Sequence, residues 1–187
     1  MKLYIKNMVC NRCKMVVQKE LDKLGLHSIS VQLGMVEISE ERMDVFKQLE
    51  LLNTLQGFGF ELLVDKKKQL VEQIKTAIIE LVHYATTALN VNLSSYLSEK
   101  LNLGYANLSS TFSEMEGVTI ERYFILQKIE KVKELLTYGE KSLSEIAYLL
   151  DYSSVAHLSA QFKKISGETT SSYKLAHHQE RKTIDEV

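Results

Sequence analysis

The C-terminal half of the sequence repeats itself at a spacing of fifty residues. Slid by that distance, Leu108 falls on Leu158, Ser109 on Ser159, Phe112 on Phe162, Gly117 on Gly167, Thr119 on Thr169 and Tyr123 on Tyr173. Upstream the offset drops to forty-nine, pairing Leu97 with Ile146 and Ser98 with Ala147. A repeat that keeps its apolar positions and confines its slip to the gap between them is one supersecondary unit used twice, with a turn one residue longer in one copy.

The second copy, Ser142 to Lys174, shows what the unit is. Leu143, Ile146, Ala147 and Leu150 recur at helical spacing and give one apolar face. Ser142 followed by Glu145 is a capping-box start. Asp151 stands where this helix must stop, and Asp tolerates the left-handed backbone of such a stop. Ser153 or Ser154 can cap a second helix, with Val155, Leu158, Phe162 and Ile165 inward and Gly167 ending it. Two short helices crossing at a tight turn make a helix-turn-helix, whose second helix can enter a DNA major groove. Between the copies, 119–141 reads as a long helix with Phe124, Ile125, Ile129, Val132, Leu135 and Leu136 on one side.

Residues 1–65 follow a different rhythm. Leu3 and Ile5 alternate in a first strand. Asn11 to Leu24 predicts a helix with Met15, Val16, Leu21 and Leu24 inward, stopped by Gly25. Ile29, Val31 and Leu33 alternate again, Gly34 makes a tight turn, and Met35 to Ser39 pairs back as a hairpin. Arg42 to Leu55 predicts a second helix with Val45, Phe46, Leu49 and Leu52 inward. Gly57 and Gly59 break it, and Phe60 to Val64 forms the last strand. The expected fold class is therefore α+β: a ferredoxin-like β-α-β-β-α-β domain over 1–65, a short polar linker over 66–69, and an all-α domain over 70–187. The latter opens with a helix from Leu70 to about Leu89, with Val71, Ile74, Ile78, Leu81, Val82 and Ala85 inward. It carries the two helix-turn-helix units joined by the long helix, and ends in a polar tail holding His177 and His178. His27 and His83 read as structural or surface residues.

The only two cysteines, Cys10 and Cys13, lie three apart where the first strand becomes the first helix. Two thiolates on one loop suit a soft ion, and Cu(I) above others. Zn(II) would need two further ligands, for instance from a second copy of the chain. Cys13 falls in the first helical turn, where backbone N–H groups and the helix dipole lower a thiol pKa, and Arg12 and Lys14 add positive charge. A thiol redox pair and a module without a metal role stay open as alternatives.

The net charge of −1 gives no general pull toward nucleic acid or membrane. Residues 69–187 hold 12 Lys and Arg against 15 Asp and Glu, while residues 1–68 hold 11 against 9. No apolar run approaches the ~20 residues of a membrane span, and no signal-peptide pattern opens the chain, so a cytoplasmic protein without a membrane partner is expected. No Ser/His/Asp set, phosphate loop or paired carboxylates point to catalysis, and a non-enzyme is expected.

Two resemblances follow from these residues. Glu145-Ile146-Ala147, Tyr152-Ser153, Leu158-Ser159, Phe162-Lys163-Lys164, Gly167, Thr169 and Tyr173, with 97–103 and Leu108, Phe112 and Gly117 in the first copy, resemble the DNA-binding domain of the AraC family of transcription regulators over roughly 70–178. That resemblance implies DNA contacts from the exposed face of each second helix: Asn107, Ser109 and Ser110 in the first copy; Ser154, Val155, His157, Ala160, Gln161, Lys163 and Lys164 in the second. Where the family typically carries Arg, this chain has Ser110 and Ala160. Met8 to Cys13, with Gly59-Phe60, resembles the metal loop of heavy-metal-associated domains. This implies Cys10 and Cys13 as ligands, Met8 as an inward loop support, and Gly59-Phe60 beside the metal. The chain departs from that pattern at Asn7, where Gly is common, and at Arg12 between the cysteines. Together the resemblances imply a metal-responsive AraC-type regulator of double-stranded DNA, with a homodimer through 1–65 expected. The alternative is a metal-binding interaction or buffering module that has lost specific DNA binding.

Overall fold

The computed structural model describes residues 1–85 and 92–178. The chain opens with β1 (Lys2–Lys6), α1 (Asn11–Lys23), β2 (Ser28–Gln32), β3 (Met35–Ile38), α2 (Val45–Gly57) and β4 (Glu61–Leu63). The four strands form one sheet in the order β2-β3-β1-β4, antiparallel at every pairing. Leu3 and Ile5 of β1 and Val36 and Ile38 of β3 meet Val17 and Leu21 of α1 and Leu51 and Leu55 of α2 in one core. Complete burial of such side chains is worth roughly 1.5–3 kcal/mol each. Gly34 turns between β2 and β3 at φ +70°, and a Cβ there would lie 2.6 Å from Thr76 Oγ1, so both backbone and space demand glycine.

Three sequence expectations fail here, each for a local reason. Met15 is 71% exposed, because α1 turns Val17 and Leu21 to the sheet instead. Ile29 is 67% exposed. A bulge between Ser28 and Ser30 inserts it as an extra residue, so the simple alternation breaks. On α2, Val45, Phe46 and Leu49 face out, and Leu51 and Leu55 are fully buried. That helix carries two apolar stripes at helical spacing. Its closing turn chooses between them: Phe58 and Phe60 both donate backbone N–H groups to the Leu55 carbonyl, at 3.1 and 3.0 Å, and so hold Leu55 over the sheet. The helix also starts later than expected, at Val45, with Asp44 accepting from the Lys47 N–H at 2.8 Å.

The rest of the described chain is helical: α3 (Lys66–His83), α4 (Leu93–Leu101), α5 (Tyr105–Glu116), α6 (Ile120–Tyr138), α7 (Leu143–Leu149), α8 (Val155–Ser166) and α9 (Thr170–His178). Residues 66–69, expected as a linker, form the first turn of α3, which Asp65 caps through the Lys68 N–H at 2.9 Å. The expected inner stripe of α3 is buried from Val71 to Val82, whereas Ala85 is exposed; the end expected near Leu89 lies outside the described residues. Residues 177 and 178, expected in the polar tail, close α9.

The contacts divide the chain into two compact units, Met1–Ala77 with Leu97–Gly117, and Ile78–Tyr96 with Val118–Val187. This differs from a division at 66–69, since it gathers Leu97–Leu101 of α4 and all of α5 with the sheet. Within the second unit, α6 packs against α7, α8 and α9. Ile129, Val132 and Leu136 are buried there, as their spacing predicts, together with Ile146, Leu158 and Phe162.

Candidate metal and nucleic-acid sites

The thiol loop begins at Asn7, whose φ of 72° is left-handed. Gly adopts that conformation freely, and Asn tolerates it better than most residues. Its side chain then does what Gly could not: Nδ2 donates to the Gly59 carbonyl at 2.9 Å, tying the thiol loop to the Gly59-Phe60 loop. Its backbone N–H donates to Glu72 Oε1 on α3 at 3.3 Å. Cys10 occupies the N-cap of α1 and Cys13 its first turn. Their sulfurs lie 3.4 Å apart, and Cys13 Sγ lies 3.8 Å from the Asn7 carbonyl. Met8 is 1% exposed and packs into the core as loop support.

The Cys10 thiol is held below its usual pKa. The backbone N–H of Cys13 is the main cause, followed by the Cys13 side chain, with Arg12 adding its charge. Two half-exposed, unbridged thiols, one already biased toward thiolate, suit a soft ion of low coordination number. A tetrahedral ion needs two more donors, and no cluster of three or more His, Cys, Asp or Glu able to hold a metal exists among the described residues.

Glu72 is a residue that periodicity did not flag. It is 7% exposed on the inner stripe of α3. Burial raises its pKa, and the Asn7 N–H acts against that rise. One turn along, Lys75 pairs with Glu116 at 2.7 Å, and Lys67 pairs with Glu114 at 2.7 Å. The thiol loop and the end of α5 are thus both tied to α3 within one unit. The only available signal was an acidic residue placed between Val71 and Ile74 on an apolar stripe.

The two copies of the repeat fold as the sequence predicts. Asn102 and Asp151 end the first helices in left-handed conformations, φ 54° and 53°. These residues are forty-nine apart, while the N-caps that follow, Gly104 and Ser154, are fifty apart. The slip therefore lies in the turn, and the second copy has the longer one. Ser142 and Glu145 form the reciprocal capping box, with bonds of 3.2 and 2.7 Å.

On α5, Asn107 and Ser110 are exposed and Ser109 is half-buried; Asn107 Oδ1 accepts from the Thr111 hydroxyl at 3.3 Å. On α8, His157, Ala160, Lys163 and Lys164 are exposed, and Val155 and Gln161 half-buried. Two of the expected contact residues have structural work as well. Ser154 accepts from the His157 N–H at 3.0 Å and so caps α8. Gln161 Oε1 accepts from the Tyr152 hydroxyl at 2.7 Å. Lys128 of α6 lies behind this pair, 8% exposed, with Nζ 3.9 Å from the centre of the Tyr152 ring. Burial lowers its pKa to about 8, against the pull of Asp151. The sequence did carry a sign of this, because Lys128 stands four residues from Phe124 and four from Val132 on the inward stripe.

A family model described as a helix-turn-helix domain matches residues 97–176, which run from within α4 to within α9. The probable transcriptional regulator LumQ of Photobacterium leiognathi is 26% identical over 146 residues, 76% of this chain and 57% of that protein. An uncharacterized HTH-type transcriptional regulator of Staphylococcus aureus is 32% identical over 80 residues, 43% of this chain and 11% of that protein. The chain thus spans less than two thirds of the length of these relatives. Among solved structures, the C-terminal domain of AraT, a response regulator from Geobacillus stearothermophilus, superposes with a TM-score of 0.51 at 23% identity, over 66% of this chain and 94% of that one. A Chromobacterium violaceum transcriptional regulator described by its AraC-type DNA-binding domain superposes with a TM-score of 0.50 at 16% identity, over 58% and 95%.

Proposed function

We propose that this chain, whose residues 97–176 match a helix-turn-helix domain model, is an AraC-type transcription regulator that binds double-stranded DNA and responds to a soft metal ion, Cu(I) first, held by Cys10 and Cys13. The observation that carries DNA binding is the paired helix-turn-helix, with α5 and α8 each presenting an exposed polar face. Lys163 and Lys164 supply phosphate contacts; Asn107, Ser110, His157 and Gln161 supply base contacts. LumQ, described as a probable transcriptional regulator, supports the same reading. A cytoplasmic setting goes with it, and no catalytic step is part of it. No helix among the described residues is long and apolar enough to cross a membrane.

Metal responsiveness is supported by the thiol pair and by its ties to α3. The order β2-β3-β1-β4 supports the ferredoxin-like reading of the sheet, and the join of Asn7 to Gly59 supports the likeness to heavy-metal-associated domains. Metal bound at the thiols changes the geometry of a loop whose first residue is hydrogen-bonded to Glu72, on the helix that holds Glu114 and Glu116 of α5. A homodimer belongs to the same proposal: the outward Val45, Phe46 and Leu49 on α2 offer apolar surface to a second copy.

Duplex selection at low salt, with and without Cu(I), tests the proposal on the wild type and on the Cys10→Ser, Cys13→Ser double variant. A defined sequence whose affinity shifts with metal only in the wild type is expected. A specific observation favours a second reading, a metal-binding interaction or buffering module. Residues 69–187 are net −3, with 12 Lys and Arg against 15 Asp and Glu, and Ser110 and Ala160 stand where an Arg–guanine contact would bring ~1–3 kcal/mol of discrimination. That reading predicts metal binding with no salt-sensitive affinity for any duplex.

A further inference from the structure

We infer that Tyr152 and Lys128 bias which base α8 reads, by holding the Gln161 amide with its oxygen engaged and its NH2 group as the end presented to DNA. The inference rests on the DNA-binding reading above. A glutamine amide facing the major groove ordinarily reads adenine bidentately, donating to N7 and accepting from the N6 amino group. Here Oε1 accepts from the Tyr152 hydroxyl at 2.7 Å. That bond takes one of the two lone pairs of Oε1 and turns the oxygen toward Tyr152, so the end of the amide turned to a ligand is the NH2 group, which can only donate.

Three contacts hold the arrangement in this orientation. Tyr152 is 7% exposed, so its hydroxyl proton requires a protein acceptor. Burial raises its pKa to about 12, which keeps that proton in place. Lys128 Nζ sits 3.9 Å from the ring centre. A cation over the face draws electron density from the phenol, making the hydroxyl a better donor and a poorer acceptor, and so disfavours the flipped amide. His157 packs edge-on against the same ring, with centroids 5.4 Å apart and planes at 83°. The ring is fixed on its face, its edge and its hydroxyl, and Gln161 inherits that fixity. Of the four base edges in the major groove, guanine alone presents two acceptors, O6 and N7, and no donor or methyl group. The base pair facing Gln161 should therefore be read as guanine in preference to adenine.

The test is duplex selection with the full chain, comparing wild type with Gln161→Ala, Tyr152→Phe, Lys128→Met and Gln161→Glu. Gln161→Ala identifies the position, as the one whose preference it flattens. At that position the wild type should select guanine over adenine. Tyr152→Phe releases Oε1 and should shift the ratio toward adenine by about fivefold or more, and Lys128→Met should shift it the same way by less. Gln161→Glu, at a half-buried position, replaces the donor with an acceptor and should move the preference to cytosine. It keeps the inference open to refutation even if Tyr152→Phe fails to fold. Adenine selected by the wild type, or an unchanged ratio in a folded Tyr152→Phe, overturns the donor assignment while leaving DNA binding standing. Recovery of no sequence above random overturns the DNA-binding reading, and this inference with it.

Discussion

In both copies of the repeat the first helix ends on a left-handed polar residue, Asn102 or Asp151, and the second on a left-handed glycine, Gly117 or Gly167. Each glycine is followed two residues later by a capping threonine: Thr119 accepts from the Arg122 N–H and Thr169 from the Ser172 N–H, both at 3.1 Å. The copies differ in what lies between and around these stops. Copy one enters α5 from Gly104, which has no side chain to cap it, and its acidic end, Glu114 and Glu116, pairs with lysines of α3. Copy two enters α8 from a capping Ser154 and ends on exposed Lys163 and Lys164. One backbone plan thus supports two surfaces. The acidic end of α5 suits contacts within its own unit, and the basic end of α8 suits a phosphate backbone.

The largest effects should come from the shared core positions. Phe112→Ala and Phe162→Ala each remove a fully buried ring and should cost ~3–5 kcal/mol. Because the two rings belong to different compact units, urea unfolding should show each variant shifting a different part of the transition. A single transition shifted equally by both would mean that the copies unfold as one body.

Lys128 of α6, set against the Tyr152 ring of copy two, gives the next effect. Its folded pKa of about 8 lies below the ordinary 10.5. Between those values the unfolded chain binds more protons than the folded one, so stability should rise with pH across that window. The gain is at most ~3 kcal/mol. Tyr152, raised from 10 to about 12, works in the opposite direction above pH 10, so the clean range is pH 8 to 10. Thermal melts across it should show the rise in the wild type and its loss in Lys128→Met.

Smaller still is the capping contrast. Ser154→Ala should destabilise by ~1 kcal/mol, whereas Gly104→Ser should stabilise by a few tenths, as read by urea midpoints. The charge contrast moves stability least and shows in binding: Lys163→Ala with Lys164→Ala should reduce the salt slope of duplex affinity by roughly 2, at about 0.9 per phosphate contact. An unchanged slope would remove α8 as the phosphate-contacting helix.

What could be read before folding was whatever depends on neighbours a few residues apart. The repeat, the slip in its turn, the Ser142–Glu145 box, the left-handed Asp151 and the two thiols at a strand-to-helix junction are all written in short stretches, because caps and turns are local interactions. What tertiary structure alone decided were choices among surfaces. Two apolar stripes on α2 are equally good at the level of spacing, and the fastening of Leu55 by the turn into β4 selects one. The outward Ile29 needs the bulge against β3, and the buried Lys128 needs the Tyr152 ring brought from the turn between α7 and α8. Asn7 meets Glu72 and Gly59 across 65 and 52 residues of chain. Those partners become neighbours only when helices and sheet pack, since burial and hydrogen-bond satisfaction are properties of the assembled core.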